Sequence, residues 1–173
     1  YSGPIAIGYP RGSGDGVPID EPLHTLPIGR AELLRDGPDV AILAVGAMVL
    51  PAERAADLLA AEGIHATVIN ARFVKPIDEE LFLDVARRCG AIVTVEENSI
   101  RGGFGSAVLE LLAAHNLRVP VQTLAVPDRI FEQASQARLR ELAGLTYKDI
   151  AAAAHRVMAA ADREGAKHLM ARP

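Results

Sequence analysis

Two short, almost unbroken apolar runs constrain the fold of this chain more than any other feature. Residues 40–45 read Val-Ala-Ile-Leu-Ala-Val, and residues 91–95 read Ala-Ile-Val-Thr-Val. A strand with one face in water alternates apolar and polar residues, whereas a strand buried on both faces is apolar almost throughout. Both runs therefore predict central strands of a sheet that helices cover on its two faces.

The rest of the chain beyond residue 27 alternates between β-rich apolar runs and amphipathic helical patterns. Apolar side chains recur at helical spacing from Val49 to Leu59. Asp78 can cap a second helix that Gly90 would end, a third is expected from about 105 to 115, and Thr146 can cap the last. This alternation indicates βαβ units around a mostly parallel sheet. The predicted strands are 28–34, 39–45, 66–71, 91–96 and 120–125.

The first 27 residues have a different character. Residues 1–9 contain the apolar run Pro-Ile-Ala-Ile at 4–7, which predicts a strand that has no partner hairpin nearby and so belongs to another sheet. Residues 10–27 hold glycines and prolines among polar residues, as loops and linkers do. We therefore expect a domain boundary between residues 20 and 27.

Composition excludes several classes of function. The 173 residues are 50% hydrophobic and carry 18 basic and 22 acidic side chains, so no basic stripe is available to bind nucleic acid. The longest apolar stretch, 40–52, is too short to span a membrane. The single cysteine, Cys89, cannot form an internal disulfide, which fits a reducing, cytoplasmic setting.

Two polar segments follow or precede predicted elements where ligands often bind. Glu96 and Glu97 end a central strand, but adjacent carboxylates point to opposite sides of a strand and make a poor acid–base pair. One of them is expected to satisfy nearby backbone amides or to bridge to another domain. The glycine-rich run 102–106 could cradle a phosphate with its N–H groups. It could equally allow a helix to approach the sheet or a neighbouring subunit, and we favour this structural explanation.

Cysteine and histidine give no catalytic or metal site by their spacing. Cys89 falls at helical spacing from apolar residues, so we interpret it as a packing residue rather than a nucleophile. The histidines lack the pairing or flanking carboxylates of a metal site, and none is predicted. They are His24, His65, His115, His155 and His168.

Two arginines come directly after predicted strands. Arg11 follows the apolar run of residues 1–9, and Arg72 follows the strand 66–71. A guanidinium group is a rigid fork that matches phosphate oxygens, so two converging arginines would form a strong phosphate clamp. The residues alone leave ordinary surface ion pairing as the simpler explanation.

Several motifs, in order and with matching spacing, resemble the C-terminal part of the 1-deoxy-D-xylulose-5-phosphate synthase family, within the transketolase superfamily. The similarity covers nearly the whole chain, from about residue 3 to 160. The motifs are Tyr9-Pro10-Arg11-Gly12, Leu26-Pro27-Ile28-Gly29, Asn70 to Pro76 with Ile77-Asp78-Glu79, Val93 to Asn98, Gly102 to Ser106, and Val126-Pro127-Asp128.

The resemblance implies a transferase that condenses pyruvate with D-glyceraldehyde 3-phosphate to 1-deoxy-D-xylulose 5-phosphate and carbon dioxide. Its product serves isoprenoid and thiamine biosynthesis, and its cofactors are thiamine diphosphate and Mg²⁺. In the family, the cofactor motif and the activating glutamate lie in earlier domains. The resemblance therefore places no catalytic, cofactor-binding or metal residue in this chain, which should be inactive by itself.

The same resemblance implies the roles and the architecture of what is present. The two phosphate-contacting arginines of the family match Arg11 and Arg72 as substrate-binding residues. Residues 1–25 would be the end of the pyrimidine-binding domain plus a linker, and residues 26–173 the transketolase C-terminal domain. That domain is a three-layer α/β/α sandwich with an antiparallel edge strand, and family members are homodimers.

Three other readings remain open at this point. A transketolase or the β subunit of a 2-oxo-acid dehydrogenase shares this terminal domain, although the segment 72–76 argues against both. A non-catalytic assembly module would leave Arg11 and Arg72 as plain surface charges and make 102–106 a dimer contact. The unpartnered opening strand counts against the module.

Overall fold

The computed structural model describes residues 1–10, 16 and 22–170, with side chains of the last helix as far as residue 163. It contains one five-stranded sheet with the strand order β1-β3-β2-β4-β5. Strands β2 to β5 run parallel to their neighbours, and β1 pairs antiparallel with β3 at the edge. The strands are β1 Glu32–Arg35, β2 Val40–Ala44, β3 Ala66–Asn70, β4 Ile92–Ser99 and β5 Val121–Val126.

Five α-helices accompany the sheet in the residues that the structure describes. Helices α1 and α5 pack on one face, and α2 and α3 pack on the other, which gives the predicted three-layer α/β/α sandwich. None of the helices in the described part of the chain is both long and apolar enough to cross a membrane. The helices are α1 Val49–Ala61, α2 Glu79–Cys89, α3 Phe104–Ala114, α4 Gln136–Ala143 and α5 Tyr147–Met170.

Strand β2 explains why two cores form. Its residues alternate between the faces, so Val40, Ile42 and Ala44 contact the layer of α1 and α5 while Ala41 and Leu43 contact the layer of α2 and α3. All five are fully buried. The unbroken apolar run of the sequence thus has the predicted cause, because both faces of this strand are covered.

Helix α2 begins and ends as the sequence predicted. The Asp78 side chain accepts a hydrogen bond from the N–H of Leu81, and Gly90 ends the helix in the left-handed conformation. Glu79 and Glu80 lie in the first turn, where the helix dipole favours negative charge. Thr146 likewise accepts a bond from the N–H of Asp149 at the start of α5.

The structure shows no strand at residues 1–9, where the sequence predicted a strand belonging to another sheet. Residues 1–10 form no strand or helix, and all of them are exposed. An extended segment needs a partner strand to satisfy its backbone groups in a ladder. The structure describes one sheet, so the assignment of this segment to another sheet stays a prediction.

The edge strand is shorter than predicted, because β1 begins at Glu32 rather than at residue 28. Residues 27–30 instead form a turn in which the N–H of Arg30 donates to the carbonyl of Pro27 at 3.2 Å. The strand keeps the predicted antiparallel direction and edge position.

Helix α4 was not predicted. The Ser135 side chain caps it by accepting from the N–H of Arg138 at 3.3 Å, and Gly144 ends it. None of its residues is buried. Its apolar positions, Leu139, Leu142 and Ala143, span little more than one turn, which is too short a pattern to predict a helix from the sequence.

Candidate functional site

The antiparallel edge strand brings polar residues together beside the end of β3. Because β1 runs opposite to β3, Glu32 at its start pairs with Asn70, the last residue of β3. Residues directly opposite in an antiparallel pair place their side chains on the same face. Arg72 follows two residues after Asn70, so the three side chains meet at this edge.

Arg72 adopts a backbone conformation that is unusual for a residue with a side chain. Its φ is +54°, and the N–H of Phe73 donates to the carbonyl of Ala71 across it at 2.5 Å, which makes a three-residue turn. The Asn70 side-chain oxygen accepts from the N–H of Arg72 at 3.2 Å. Such strained positions persist where the surroundings hold them and are frequent at functional sites.

The guanidinium of Arg72 is paired with Glu32. The distance from Arg72 Nη2 to Glu32 Oε2 is 2.7 Å, and the Arg72 side chain is 23% exposed. Asn70 Nδ2 donates to the same Glu32 oxygen at 3.3 Å. A guanidinium carries five N–H donors in a fixed fork, so the other donors can serve an anion from solvent.

The other predicted arginine, Arg11, lies outside the described residues. The convergence of Arg11 and Arg72 on one phosphate therefore stays a prediction.

Glu96 satisfies backbone amides, as one of the two adjacent carboxylates was expected to do. Its side-chain oxygens accept from the N–H groups of Phe104 and Gly105, each at 2.8 Å, and the residue is 3% exposed. These N–H groups lie in the first turn of α3, where backbone N–H groups have no acceptor within the helix itself. An internal carboxylate thus occupies the place that an external phosphate would need.

The glycines of 102–106 have the structural role that we favoured. A Cβ at Gly103 would overlap the Glu96 carboxylate, and one at Gly105 would lie 2.8 Å from Thr94 Oγ1 and 2.9 Å from Thr123 Cγ2. Only glycine lets the start of α3 approach β4 and β5 this closely.

Glu97 points away from Glu96 and forms an ion pair with Arg140 of α4 at 2.5 Å. It also borders two clefts beside the ends of β4 and β5. One has a volume of about 300 Å³ and is lined by residues 97–99 and 126–129. The other, of about 280 Å³, lies against α4 and is mainly apolar. Arg72 lines neither cleft, because β3 is separated from β4 by β2.

The model of the family described as "Transketolase, C-terminal domain" matches residues 29–150. The chain belongs to this family. The match covers all five strands and helices α1 to α4. A solved structure, that of a split-gene transketolase in an inactive β4 tetramer, has the same fold. That structure is 40% identical with a TM-score of 0.76, over 83% of this chain and 46% of its own.

Two curated relatives of this transketolase C-terminal domain are 1-deoxy-D-xylulose-5-phosphate synthases. The 1-deoxy-D-xylulose-5-phosphate synthase of Thermomicrobium roseum is 64% identical over 86% of this chain and 24% of its own length. That of Heliobacterium modesticaldum is 56% identical over the whole chain and 27% of its own length. The resemblance stated from the sequence is confirmed, and the chain spans about a quarter of the length of these relatives.

A diphosphate–magnesium group does not fit the residues that the structure describes in this transketolase C-terminal domain. Among them, no three or more His, Cys, Asp or Glu side chains are grouped closely enough to hold a metal ion. The Glu96 carboxylate fills the start of α3 and would repel a diphosphate there.

Cys89 packs against the core layer of α2 and α3, as its spacing indicated. Its Sγ lies 3.5 Å from the carbonyl of Gly37 and 3.8 Å from Thr67 Oγ1. Burial raises the pKa of this thiol, which disfavours the reactive thiolate.

Glu32 is the residue of this site that sequence reasoning missed. Its neighbours Leu33 and Leu34 marked a strand, but nothing local relates Glu32 to Arg72, 40 positions later. The antiparallel register alone joins them.

Proposed function

We propose that this chain is the C-terminal part of a 1-deoxy-D-xylulose-5-phosphate synthase, a transferase that condenses pyruvate with D-glyceraldehyde 3-phosphate and releases carbon dioxide. The relatives of that name, at 64% and 56% identity, support the activity. The part played by this chain is to bind the phosphate of the aldehyde through Arg11 and Arg72. The observation that carries this role is the ordered guanidinium of Arg72 at the edge of the sheet.

A guanidinium held at this edge suits a sugar phosphate. A phosphate monoester is close to a dianion at neutral pH, and an arginine fork can donate two parallel hydrogen bonds to its oxygens. The contacts of Arg72 with Glu32 and Asn70 restrict its conformation before substrate binds, which lowers the entropy lost on binding. The side chain is nevertheless 23% exposed, so a ligand can reach it.

The remaining parts of the proposal concern the longer protein. Thiamine diphosphate, which stabilises the carbanion formed by decarboxylation, and Mg²⁺ would be bound by the part of the enzyme that precedes this chain. Residues 1–25 would end the pyrimidine-binding domain, and residues 26–173 would form the C-terminal domain. The enzyme would be a cytoplasmic homodimer serving isoprenoid and thiamine biosynthesis, and this chain alone would be inactive.

The experiment compares Arg72→Ala with the unchanged full-length enzyme, using glyceraldehyde 3-phosphate and unphosphorylated glyceraldehyde as acceptors. Loss of one phosphate contact is expected to lower kcat/KM for the phosphorylated acceptor, which corresponds to a loss of on the order of 2–4 kcal/mol of transition-state stabilisation. The value of kcat/KM for the unphosphorylated acceptor should stay unchanged. Arg35→Ala is the matched control, because Arg35 forms an ion pair with Asp57 of the same 2.7 Å length. Equal losses with both acceptors would refute the phosphate role.

A further inference from the structure

We propose that Glu32 is a positioning residue that holds Arg72 in the orientation needed to bind the substrate phosphate. The inference rests on the proposed function and adds to it a residue that does not itself touch the phosphate. It begins from the pairing of Glu32 with Asn70 across the only antiparallel strand pair among the described strands.

The three side chains form one connected unit. Asn70 accepts from the backbone N–H of Arg72 through Oδ1 and donates to Glu32 through Nδ2. Glu32 in turn forms an ion pair with Arg72, with its Oε2 2.7 Å from Nη2. Backbone and guanidinium of Arg72 are thus fixed through the same two neighbours, so the strained turn and the side-chain direction depend on each other.

The backbone directly before Glu32 is held in place by a hydrogen bond to a buried side chain. The N–H of Ala31, the preceding residue, donates to Asp78 Oδ2 at 2.8 Å. Asp78 is 4% exposed and also caps α2 through the N–H of Leu81. Movement of the backbone at Glu32 would therefore disturb a buried capping interaction, which restricts the point from which its side chain extends towards Arg72.

A carboxylate beside an arginine has two opposing effects on an anionic ligand. It repels the phosphate, which weakens binding, and it orders the guanidinium, which strengthens binding. Glu32 is 39% exposed, so water screens the repulsion. Arginine has many rotamers to lose, and a guanidinium that is ordered before the ligand arrives loses less entropy when it binds the phosphate. Ordering is therefore the larger effect.

The test uses the full-length enzyme with Glu32→Ala, Glu32→Gln and Arg72→Ala, and measures kcat and KM with the phosphorylated and unphosphorylated aldehydes. Glu32→Ala should raise KM for the phosphorylated aldehyde about tenfold, with kcat nearly unchanged and no effect on the other aldehyde, because the arginine must then be ordered by the phosphate itself. Glu32→Gln should restore part of the loss, because its amide oxygen can lie beside the guanidinium although the negative charge is gone. Asp57→Ala, which removes the partner of Arg35, should leave both KM values unchanged.

Each alternative result has a distinct meaning. A lower KM for the phosphorylated aldehyde in Glu32→Ala would show that repulsion dominates and would overturn the positioning role. Equal changes with both aldehydes would also overturn it, because they indicate a structural role. If the single variant Arg72→Ala shows no selective loss of kcat/KM with the phosphorylated aldehyde, the proposed function fails. If Arg72→Ala shows the loss and Glu32→Ala does not, only the positioning role fails.

Two further variants keep the test decisive. Glu32→Val removes the carboxylate while favouring a strand, so it replaces Glu32→Ala if thermal melting shows that the alanine variant does not fold. The double variant of Glu32→Ala with Arg72→Ala should be no worse than Arg72→Ala, because Glu32 acts only through the arginine. Additive losses in the double variant would contradict this.

Discussion

Glu96 and Glu97 are neighbours in the sequence with unlike environments. Glu96 is 3% exposed and accepts two backbone hydrogen bonds from the start of α3. Glu97 lies on the other side of β4 and forms one ion pair with Arg140. The side chains of Glu97 and Arg140 are 26% and 22% exposed to solvent. Burial and the number of partners therefore make Glu96 the more important residue for stability.

We predict that Glu96→Ala lowers the free energy of unfolding by about 3 kcal/mol, because it leaves two buried N–H groups without acceptors. Glu96→Gln should restore part of this, since its single amide oxygen can accept one of the two bonds. Glu97→Ala is the control and should cost about 1 kcal/mol. Urea denaturation of the three variants measures the difference, and similar losses at both positions would contradict the assignment of Glu96 as the acceptor.

The role of Glu96 could be foreseen only in part. Side-chain alternation along a strand indicated that the two carboxylates separate, and the sequence named amide satisfaction as one outcome. Which of the two carboxylates would reach the start of α3 depends on the side of β4 on which that helix packs. That choice is a property of the packed layers.

At the scale of elements, α2 and β1 are joined through one side chain. Asp78 caps α2 and also accepts from the N–H of Ala31, the residue directly before β1. An acidic cap at a helix start is a local feature, so the sequence predicted it. The bond to a strand 47 positions earlier was not predictable in the same way.

We predict that Asp78→Ala lowers the free energy of unfolding by about 2 kcal/mol, from loss of the cap and of the bond to β1. Ser135→Ala at the start of α4 is the control, because it removes a cap from a helix that has no buried residues. It should cost about 0.5 kcal/mol. Chemical denaturation separates the two, and an equal cost for both caps would show that the bond to Ala31 contributes nothing.

At the scale of the whole molecule, the opening segment and α5 differ in how much they contribute to the fold. Residues 1–10 are exposed throughout, and the family match begins at residue 29. Helix α5 instead places Ile150, Ala153 and Ala154 fully buried in the core. The fold should therefore depend on the last helix and not on the first residues.

We predict that deleting residues 1–25 changes the free energy of unfolding by less than about 1 kcal/mol. Deleting α5 from residue 146 onward should abolish cooperative unfolding, because the face of the sheet that it covers would be exposed to water. Circular dichroism during urea titration tests both chains. A loss of several kcal/mol from the first deletion would contradict the predicted boundary near residue 25.

The sequence by itself determined the features that have short-range causes: the apolar central strands, the capped ends of α2, and the alternation of the five strands with helices α1, α2, α3 and α5. It also carried the motifs by which the family was recognised. The tertiary structure decided which distant groups meet, namely Glu32 with Arg72, Asp78 with Ala31, and Glu96 with the start of α3. The reason is that propensity and periodicity act over one or two turns of chain, whereas strand register and layer packing are set by burial of the whole sheet.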